Sequence, residues 1–406
     1  MPGGNILGIV AEYNPFHNGH MYHLKESVKR TSSNGVVCAM SGDFVQRGEA
    51  AVLNKWERAG IAVRCGADLV VEIPVFCCLA NAGIYGRGAV KLLESLGFVT
   101  HLSFGSESGD IAELEEAAGR LDRYEDEINR RIGILSRRGM SWPAARDRAY
   151  RELFPDGTPI STSSNDILGI EYLRALNGLI PVAIKRKGAG YNSTVGDDPG
   201  AVFQSASGIR QALYGGEDVS SMVPEESLAR LSGLTQDELE RRKDRYFQFV
   251  RYRILTSDEE EIAGLPDGGE GIGNRLKKAV VSASDLNDLI AKTKTRRYTY
   301  THVSRLLAQL VTGMDRGMTE PACIRVLAMN GRGREMLHEA SRKKLFKLPL
   351  VTNVNKAFGR LSAERPEDLR VMQQLSAEIR AGDIYNLITG ADLYRCSDRV
   401  SGPVIM

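Results

Sequence analysis

Residues 6–24, ILGIVAEYNPFHNGHMYHL, carry the reading on which the fold turns. The run 6–11 is short and apolar without interruption, as strands buried on both faces are. It ends near Glu12, the chain turns at Pro15, and His17, Asn18, Gly19 and His20 open a helical pattern that runs to residue 30. Ligands of open parallel sheets gather beyond the carboxyl ends of the strands, and helix N-termini offer free backbone N–H groups to anions. An HxGH tetrapeptide at that junction sets two imidazoles beside an anion site. Gly19 leaves room there for a nucleotide to lie against the backbone.

Outward from this stretch the first half repeats the pattern. Further buried-strand runs stand at 36–40, 69–73, 102–104 and 181–185, and helical periodicity fills 20–30, 54–66, 81–97 and 110–131. Strands alternating with helices of this length predict βαβ units, hence an α/β fold with a doubly wound parallel sheet over residues 1–215. Residues 225–255 and 276–311 have helical spacing and few strand signals, so 216–317 reads as a mainly helical domain. Between them, 264–273 (GLPDGGEGIG) reads as a loop or hinge, because its GxGxxG-like string has no strand before it. Short apolar runs return at 324–328 and 348–352, which predicts a small α/β C-terminal unit over 318–406, or an extension packed on the helices.

At 406 residues the chain is long enough for two or three domains, and 42% hydrophobic residues suffice for a core. Fifty-three basic against 51 acidic residues give +2, which excludes a uniformly basic protein but not a local patch. Residues 1–215 hold 23 basic and 24 acidic residues, whereas 275–305 hold eight basic against two acidic. The six cysteines lack CxxC spacing and a nearby His, which disfavours a zinc site or a disulfide framework. No run can span a membrane and the first residues lack a secretory layout, so a cytoplasmic protein with no membrane partner is expected.

A hydroxyl-rich turn, Ser205-Ala206-Ser207-Gly208-Ile209-Arg210, opens another helix near the end of the α/β segment. It is similar to the ISSTxIR type of late motif, in which hydroxyls, N–H groups and a forked guanidinium meet a triphosphate. Together the two motifs resemble the class I nucleotidyltransferase and aminoacyl-tRNA synthetase superfamily. That resemblance makes His17 and His20 donors to charge building on the α-phosphate and the leaving pyrophosphate. His23, one turn on, either approaches the phosphates or packs as an ordinary helix residue.

Longer strings are more specific than HxGH. GIVAEYNPFHNGHMYHL (8–24), AMSGDFVQRGEAAVLNKWERA (39–59), LSFGSE (102–107), GMSWPAARDRA (139–149), SNDILGIEYLRA (164–175), IKRKGAGYNS (184–193), EGIGNRLKKA (270–279) and KTKTRRYTYTHVSRLL (292–307) resemble the bacterial tRNA(Met) cytidine acetate ligase family, nearly end to end. The resemblance implies a ligase that activates acetate with ATP to acetyl adenylate and then acetylates the exocyclic amine of the wobble cytidine in elongator tRNA(Met). It implies ATP contacts from Val10, Ala11, Glu12, Tyr13, Asn14, Pro15, Phe16, His17, Asn18, Gly19, His20 and His23, and from Gly105, Asn165 and Arg186. Ser207 and Arg210 of the late motif join them. Read without the family, Asn165 is equally a helix N-cap and Arg186 a solvated cation. Where the family pattern often has Pro this chain has Ala50 and Ser164, changes that bear on loop stiffness rather than chemistry. Asp43, just after the second strand, is a candidate near acetate or cytidine, or simply a turn residue. Mg²⁺ is the usual companion of a triphosphate, but no carboxylate cluster is dedicated to it, so no metal ligand is assigned.

The tRNA surface is expected in the basic segment, at Arg275, Lys277, Lys278, Lys292, Lys294, Arg296, Arg297 and Arg305, with Tyr298 and Tyr300 stacking on unpaired bases. A second run, Arg332, Arg334, Arg342, Lys343, Lys344 and Lys347, can contact phosphates. Charge runs are also what solvated helix faces look like. Two other functions fit the nucleotide motifs. One is an ATP-dependent small-molecule ligase or nucleotidyltransferase of the pantothenate synthetase type, which has no need of basic helices. The other is a non-catalytic RNA-binding protein with a nucleotide pocket, which has no need of both His and Arg210.

Overall fold

The computed structural model describes residues 4–155, 163–186, 203–269, 271–314 and 316–406. Residues 187–193 of the string 184–193, and Glu270, lie outside the described residues. The strands are β1 (Asn5–Ala11), β2 (Ser33–Ser41), β3 (Phe44–Val45), β4 (Glu49–Ala50), β5 (Leu69–Ile73), β6 (His101–Ser106), β7 (Ile180–Lys185), β8 (Ile324–Met329), β9 (Leu350–Val351) and β10 (Val404–Ile405). One sheet runs β10-β8-β5-β2-β1-β6-β7, with β9 also beside β8, while β3 and β4 form a separate hairpin. Every pairing in the large sheet is parallel except β5 with β8.

The period of two expected of a strand covered on both faces is visible along β1. Leu7, Ile9 and Ala11 enter one core cluster, and Ile6, with Val10 at its margin, enters the other. Gly8 lets the helix Ala82–Ser95 lie close on this strand, since a Cβ there would stand 2.9 Å from Leu93 Cδ1. β1 is flanked by β2 on one side and β6 on the other, and the order reverses between β1 and β6. That makes a switch-point crevice at their carboxyl ends. The stretch 110–131 is not one helix but two, Ile111–Arg123 and Glu125–Arg137, broken at Tyr124 where three acidic residues open the second. Among the described residues, 216–317 is helical throughout its regular structure.

Residues 318–406 do not make a sheet of their own. β8 pairs antiparallel with β5, and β9 and β10 pair with β8, so this segment widens the first sheet. A buried ion cluster shows why. Lys55 Nζ lies 2.8 Å from Glu72 in β5 and 2.6 Å from Asp398, and Arg325 in β8 reaches Glu72, Glu378 and Asp398 at 3.4, 3.3 and 2.9 Å. Each part brings charges that the other must balance, and removing one partner of such a buried set costs about 3–5 kcal/mol. Asp43 belongs here as well, its Oδ1 accepting the Lys55 N–H at 2.7 Å. With these four carboxylates around two cations, burial pushes Asp43 up to about 6 and Glu378 up to about 7.

Candidate active site

The helix Asn18–Thr31 starts at the switch point, and its cap is made of histidine. His17 is the N-cap, with extended backbone, and its Nδ1 accepts the Gly19 N–H at 3.0 Å. His20, the third helical residue, reaches back so that its Nδ1 accepts the His17 N–H at 3.3 Å. This is the reciprocal geometry of a capping box, with two imidazoles in place of Ser/Thr and Glu. A neutral imidazole whose Nδ1 accepts carries its proton on Nε2, so the hydrogen-bond pattern assigns both rings as Nε2–H donors. The rings stack with centroids 3.7 Å apart. Burial, then Arg186 and Arg210, lowers His17 to about 3, and burial, then His17 and Arg186, holds His20 well below the usual range. Both are therefore neutral donors near pH 7 until an anion arrives.

Gly19 has a reason different from the expected one. A Cβ there would lie 2.8 Å from His17 Cε1, so the glycine makes room for the capping imidazole. Behind the pair, His23 Nε2 is 3.1 Å from Ser103 Oγ on β6, and burial, then Arg186, lowers it to about 4. The ends of β1 and β2 are held by Arg58, fully buried, whose guanidinium donates to the carbonyls of Leu53, Glu12, Ser41 and Gly42.

Val10, Ala11, Glu12, Tyr13, Asn14, His17, Gly19, His20, His23, Gly105, Asn165, Arg186, Ser207 and Arg210 line one cavity of about 1000 Å³. Glu12 accepts the Gln46 N–H at 2.9 Å, and burial raises its carboxyl. Asn165 donates to Glu107 at 2.6 Å, and Glu107 is 3.9 Å from Arg186, which stays one-third exposed (33%). Space above Gly105 is bounded by the Arg186 stem, 3.5 Å from where a Cβ would be. In the late motif Ser205, not Ser207, caps the helix Ala206–Tyr214. Arg210 ties the two motifs together, donating to the Asn14 carbonyl at 2.8 Å and to Glu49 at 2.9 Å.

Other expected residues lie elsewhere. Pro15 and Phe16 are buried behind the wall, and the Asn18 side chain donates to the Ser221 carbonyl. Asp43 lines a second cavity of about 460 Å³ rather than this one. In the basic segment Lys278, Lys294, Arg296 and Arg297 are exposed and Lys277 half-buried. Arg275 is engaged with the Thr293 carbonyl and Lys292 with Asp288 and the Ser282 carbonyl. Arg305 is not an open cation: its Nε pairs with Asp267 at 2.7 Å. Tyr298 is 8% exposed and packs in the core, out of reach of a stacked base, whereas Tyr300 is 44% exposed. The second basic run, Arg332 to Lys347, is exposed at all six cations.

The same cavity is also lined by residues that no motif singled out, among them Gln46, Arg47, Trp142, Arg146, Asp267, Thr299, Thr301 and His302, with Arg297 and Arg305. Most sit inside the family-like strings, which was the only signal for them. Among the described residues no group of three or more His, Cys, Asp or Glu is placed to hold a metal, and all six cysteines are free. No described helix is long and apolar enough to cross a membrane.

A family model described as HIGH Nucleotidyl Transferase matches residues 4–398. The chain is similar to the tRNA(Met) cytidine acetate ligases of Clostridium acetobutylicum (37% identical, covering 86% of this chain and 90% of that one) and Syntrophotalea carbinolica (36%, 94% of each). The relative of that name from Listeria monocytogenes is 35% identical over 98% of both chains. Thermotoga maritima TmcAL superposes with a TM-score of 0.86 in the form bound with alpha-thio ATP and 0.87 in an apo form, at 29% identity over 99% of both chains. By the extent of these matches the chain belongs to the HIGH nucleotidyl transferase family and, within it, to the tRNA(Met) cytidine acetate ligases.

Proposed function

We propose that the chain is an ATP-dependent ligase that activates acetate and acetylates the exocyclic amine of the wobble cytidine in elongator tRNA(Met). The observation that carries this is the pair of Nε2–H donors on His17 and His20, fixed by their own helix cap beside Arg186 and Arg210 at the end of β1. In the first step an acetate oxygen attacks the α-phosphorus and the bond to pyrophosphate breaks. The two imidazoles and Arg186 stabilise the charge that builds there, because preorganised donors are worth most where charge develops. Arg210 acts nearer the loop, holding Asn14 in place. In the second step the cytidine amine attacks the acetyl carbonyl and AMP leaves.

Gly105 and Asn165 face the adenosine side of this site, and Ser207 adds a hydroxyl. The described residues offer no group of three or more His, Cys, Asp or Glu for a metal; Mg²⁺, where it accompanies the triphosphate, would be held chiefly by the phosphates and water and would neutralise charge on the leaving pyrophosphate. Residues 216–317 supply the tRNA surface through Lys277, Lys278, Lys294, Arg296 and Arg297, exposed or half-buried, of which Arg297 also lines the cavity. Free cysteines and a tRNA substrate fit action in the cytoplasm.

The test omits ATP, acetate or tRNA(Met) in turn, following pyrophosphate release and acetyl label on the tRNA. Label that needs all three is expected. Pyrophosphate release that depends on a different small acid points instead to a metabolite ligase, and tRNA binding without any turnover points to a binding protein.

A further inference from the structure

The cavity holds more chemistry than a nucleotide uses. At about 1000 Å³ it stands at the top of the roughly 300–1,000 Å³ range of small-molecule sites. Part of its lining, Asp267, Arg297, Thr299, Thr301, His302 and Arg305, comes from the helical segment 216–317, and this part we call the second lobe. One hairpin joins the two lobes. The Gln46 N–H donates to Glu12 at the end of β1, and two residues on the Gly48 carbonyl accepts from Ser304 Oγ at 3.2 Å in the helix Tyr300–Thr312. Gly48 permits this contact, because a Cβ there would lie 2.4 Å from Arg305 N.

His302 is the third residue of that helix, and its N–H is capped by Thr299 Oγ1. Its Nδ1 turns to Asp267, 3.6 Å from Oδ1, and the ring hydrogen-bonds the Asp267 main chain. Asp267 is held in place from several sides. Arg305 Nε and Gln309 Nε2 donate to its Oδ2 at 2.7 and 3.0 Å, and its own N–H donates to Gln309 Oε1 at 2.9 Å. A neutral ring whose Nδ1–H donates to a carbonyl keeps a lone pair on Nε2. That Nε2 is buried and has no hydrogen-bond partner. An orphaned buried nitrogen is uncommon and needs a reason. A ligand that donates to it supplies one. Burial, with Arg305 and Arg297, lowers the pKa of His302, and Asp267 opposes them, so the ring is neutral near pH 7.

We propose that this lobe receives the acceptor base and that His302 Nε2 takes the proton from the exocyclic amine as it attacks, with Asp267 as the positioning residue. The proposal rests on the acetyl-transfer reading above. The amine nitrogen forms the new N–C bond and the bond from the acetyl carbon to the AMP phosphate oxygen breaks. Its electron pair leaves on AMP, and one amine proton passes to Nε2 and from there to solvent. The exposed cations Lys294, Arg296 and Arg297 lie just before this helix, so an unpaired loop of RNA drawn to them arrives at the lobe. Enzymes that act on a base take it out of the stack in this way.

The test separates the two half-reactions in the full chain. Acetate-dependent pyrophosphate release without tRNA reports activation; single-turnover reaction of preformed acetyl adenylate with tRNA(Met) reports transfer. For His302→Ala, activation is expected within about twofold of the parent, which also shows that the variant folds. Transfer should fall about 100-fold or more, the usual worth of a positioned base. The parent's transfer rate should rise with pH to a plateau as His302 loses its proton, and His302→Ala should lose that rise. Asp267→Asn removes the charge that favours the protonated ring, so its inflection should move to lower pH. Transfer by His302→Ala within threefold of the parent, or loss of activation in step with transfer, overturns the proposal alone. A parent that cannot acetylate tRNA from acetyl adenylate overturns the reading beneath it as well.

Discussion

His20 and His302 each stand third in a helix, after the caps His17 and Thr299, and both line one cavity. They differ in where Nδ1 goes. In the first helix the N-cap is itself a histidine, and its N–H reaches Nδ1 of His20, which leaves the proton on Nε2. In the second, Nδ1 turns away from the cap toward Asp267, which leaves Nε2 with a lone pair. One ring is set to donate and the other to accept. The residue type and the helical position are the same, so the difference comes from the partner of the far nitrogen, which fixes the tautomer.

The largest expected effect breaks the donor side. His20→Ala should lower acetate-dependent pyrophosphate release by about 100- to 1,000-fold, the cost of one transition-state donor, while the tRNA dissociation constant stays unchanged. His20→Gln, which keeps an N–H near the place of Nε2, should recover part of the loss. Next is Gly19→Ala, whose Cβ would press on His17 Cε1 at 2.8 Å. It should slow activation by about 10-fold or more with little change in transfer from preformed acetyl adenylate, since orientation errors near 1 Å are costly. If transfer drops equally, the two lobes are not separable in the way described.

The donor side also predicts an acid sensitivity. His17 titrates at about 3 when folded and near 6.5 when unfolded, so between these values the unfolded chain binds more protons. Its contribution to stability is complete above about pH 6.5 and is lost as pH falls toward 3, at up to about 1.4 kcal/mol per pH unit. Asp43 and Glu378, raised to about 6 and about 7, act in the opposite sense, losing their contribution as pH rises through those values. Urea denaturation of the parent and of His17→Asn at pH 7 and pH 5 isolates the histidine: the parent should lose more stability between the two. Equal losses would mean that His17 is not held neutral. The smallest effect is on the exposed basic segment, where Lys278→Ala should weaken tRNA binding a few-fold and reduce the salt slope by about 0.7–0.9, with activation untouched.

The donor lobe was legible because it is local. Strand, turn and HxGH lie within nineteen residues, and their order alone puts the histidines at a sheet edge. Its finer logic was not, because Gly19 is explained by the ring of His17 only once His17 is seen to be the cap. The acceptor lobe was not legible, since Gln46, Asp267 and His302 come to line one cavity only through tertiary packing. Arg305 read as part of an open tRNA surface because a sequence shows a charge and not its partner. Tyr298 left a usable clue: it precedes the cap Thr299, and Val303 stands four residues past that cap, the spacing of a hydrophobic staple. Both are buried in one core cluster. β8 read as part of a separate unit because an apolar run does not name the strand it will pair with, here β5 across some 250 residues.

That pairing sets an order of events during synthesis. Lys55 and Glu72 leave the ribosome early, and Asp398 follows Lys55 by 343 residues, roughly 20 to 70 seconds at about 5–20 residues per second. Until β8 emerges, 73 residues before Asp398, β5 has an open edge and Glu72 lacks Arg325. An uncovered parallel sheet edge is a template for pairing with other chains. The nascent protein is thus most prone to aggregate while its nucleotide-binding half is already long enough to fold, and shielding of the β5 edge by a chaperone matters most in that interval.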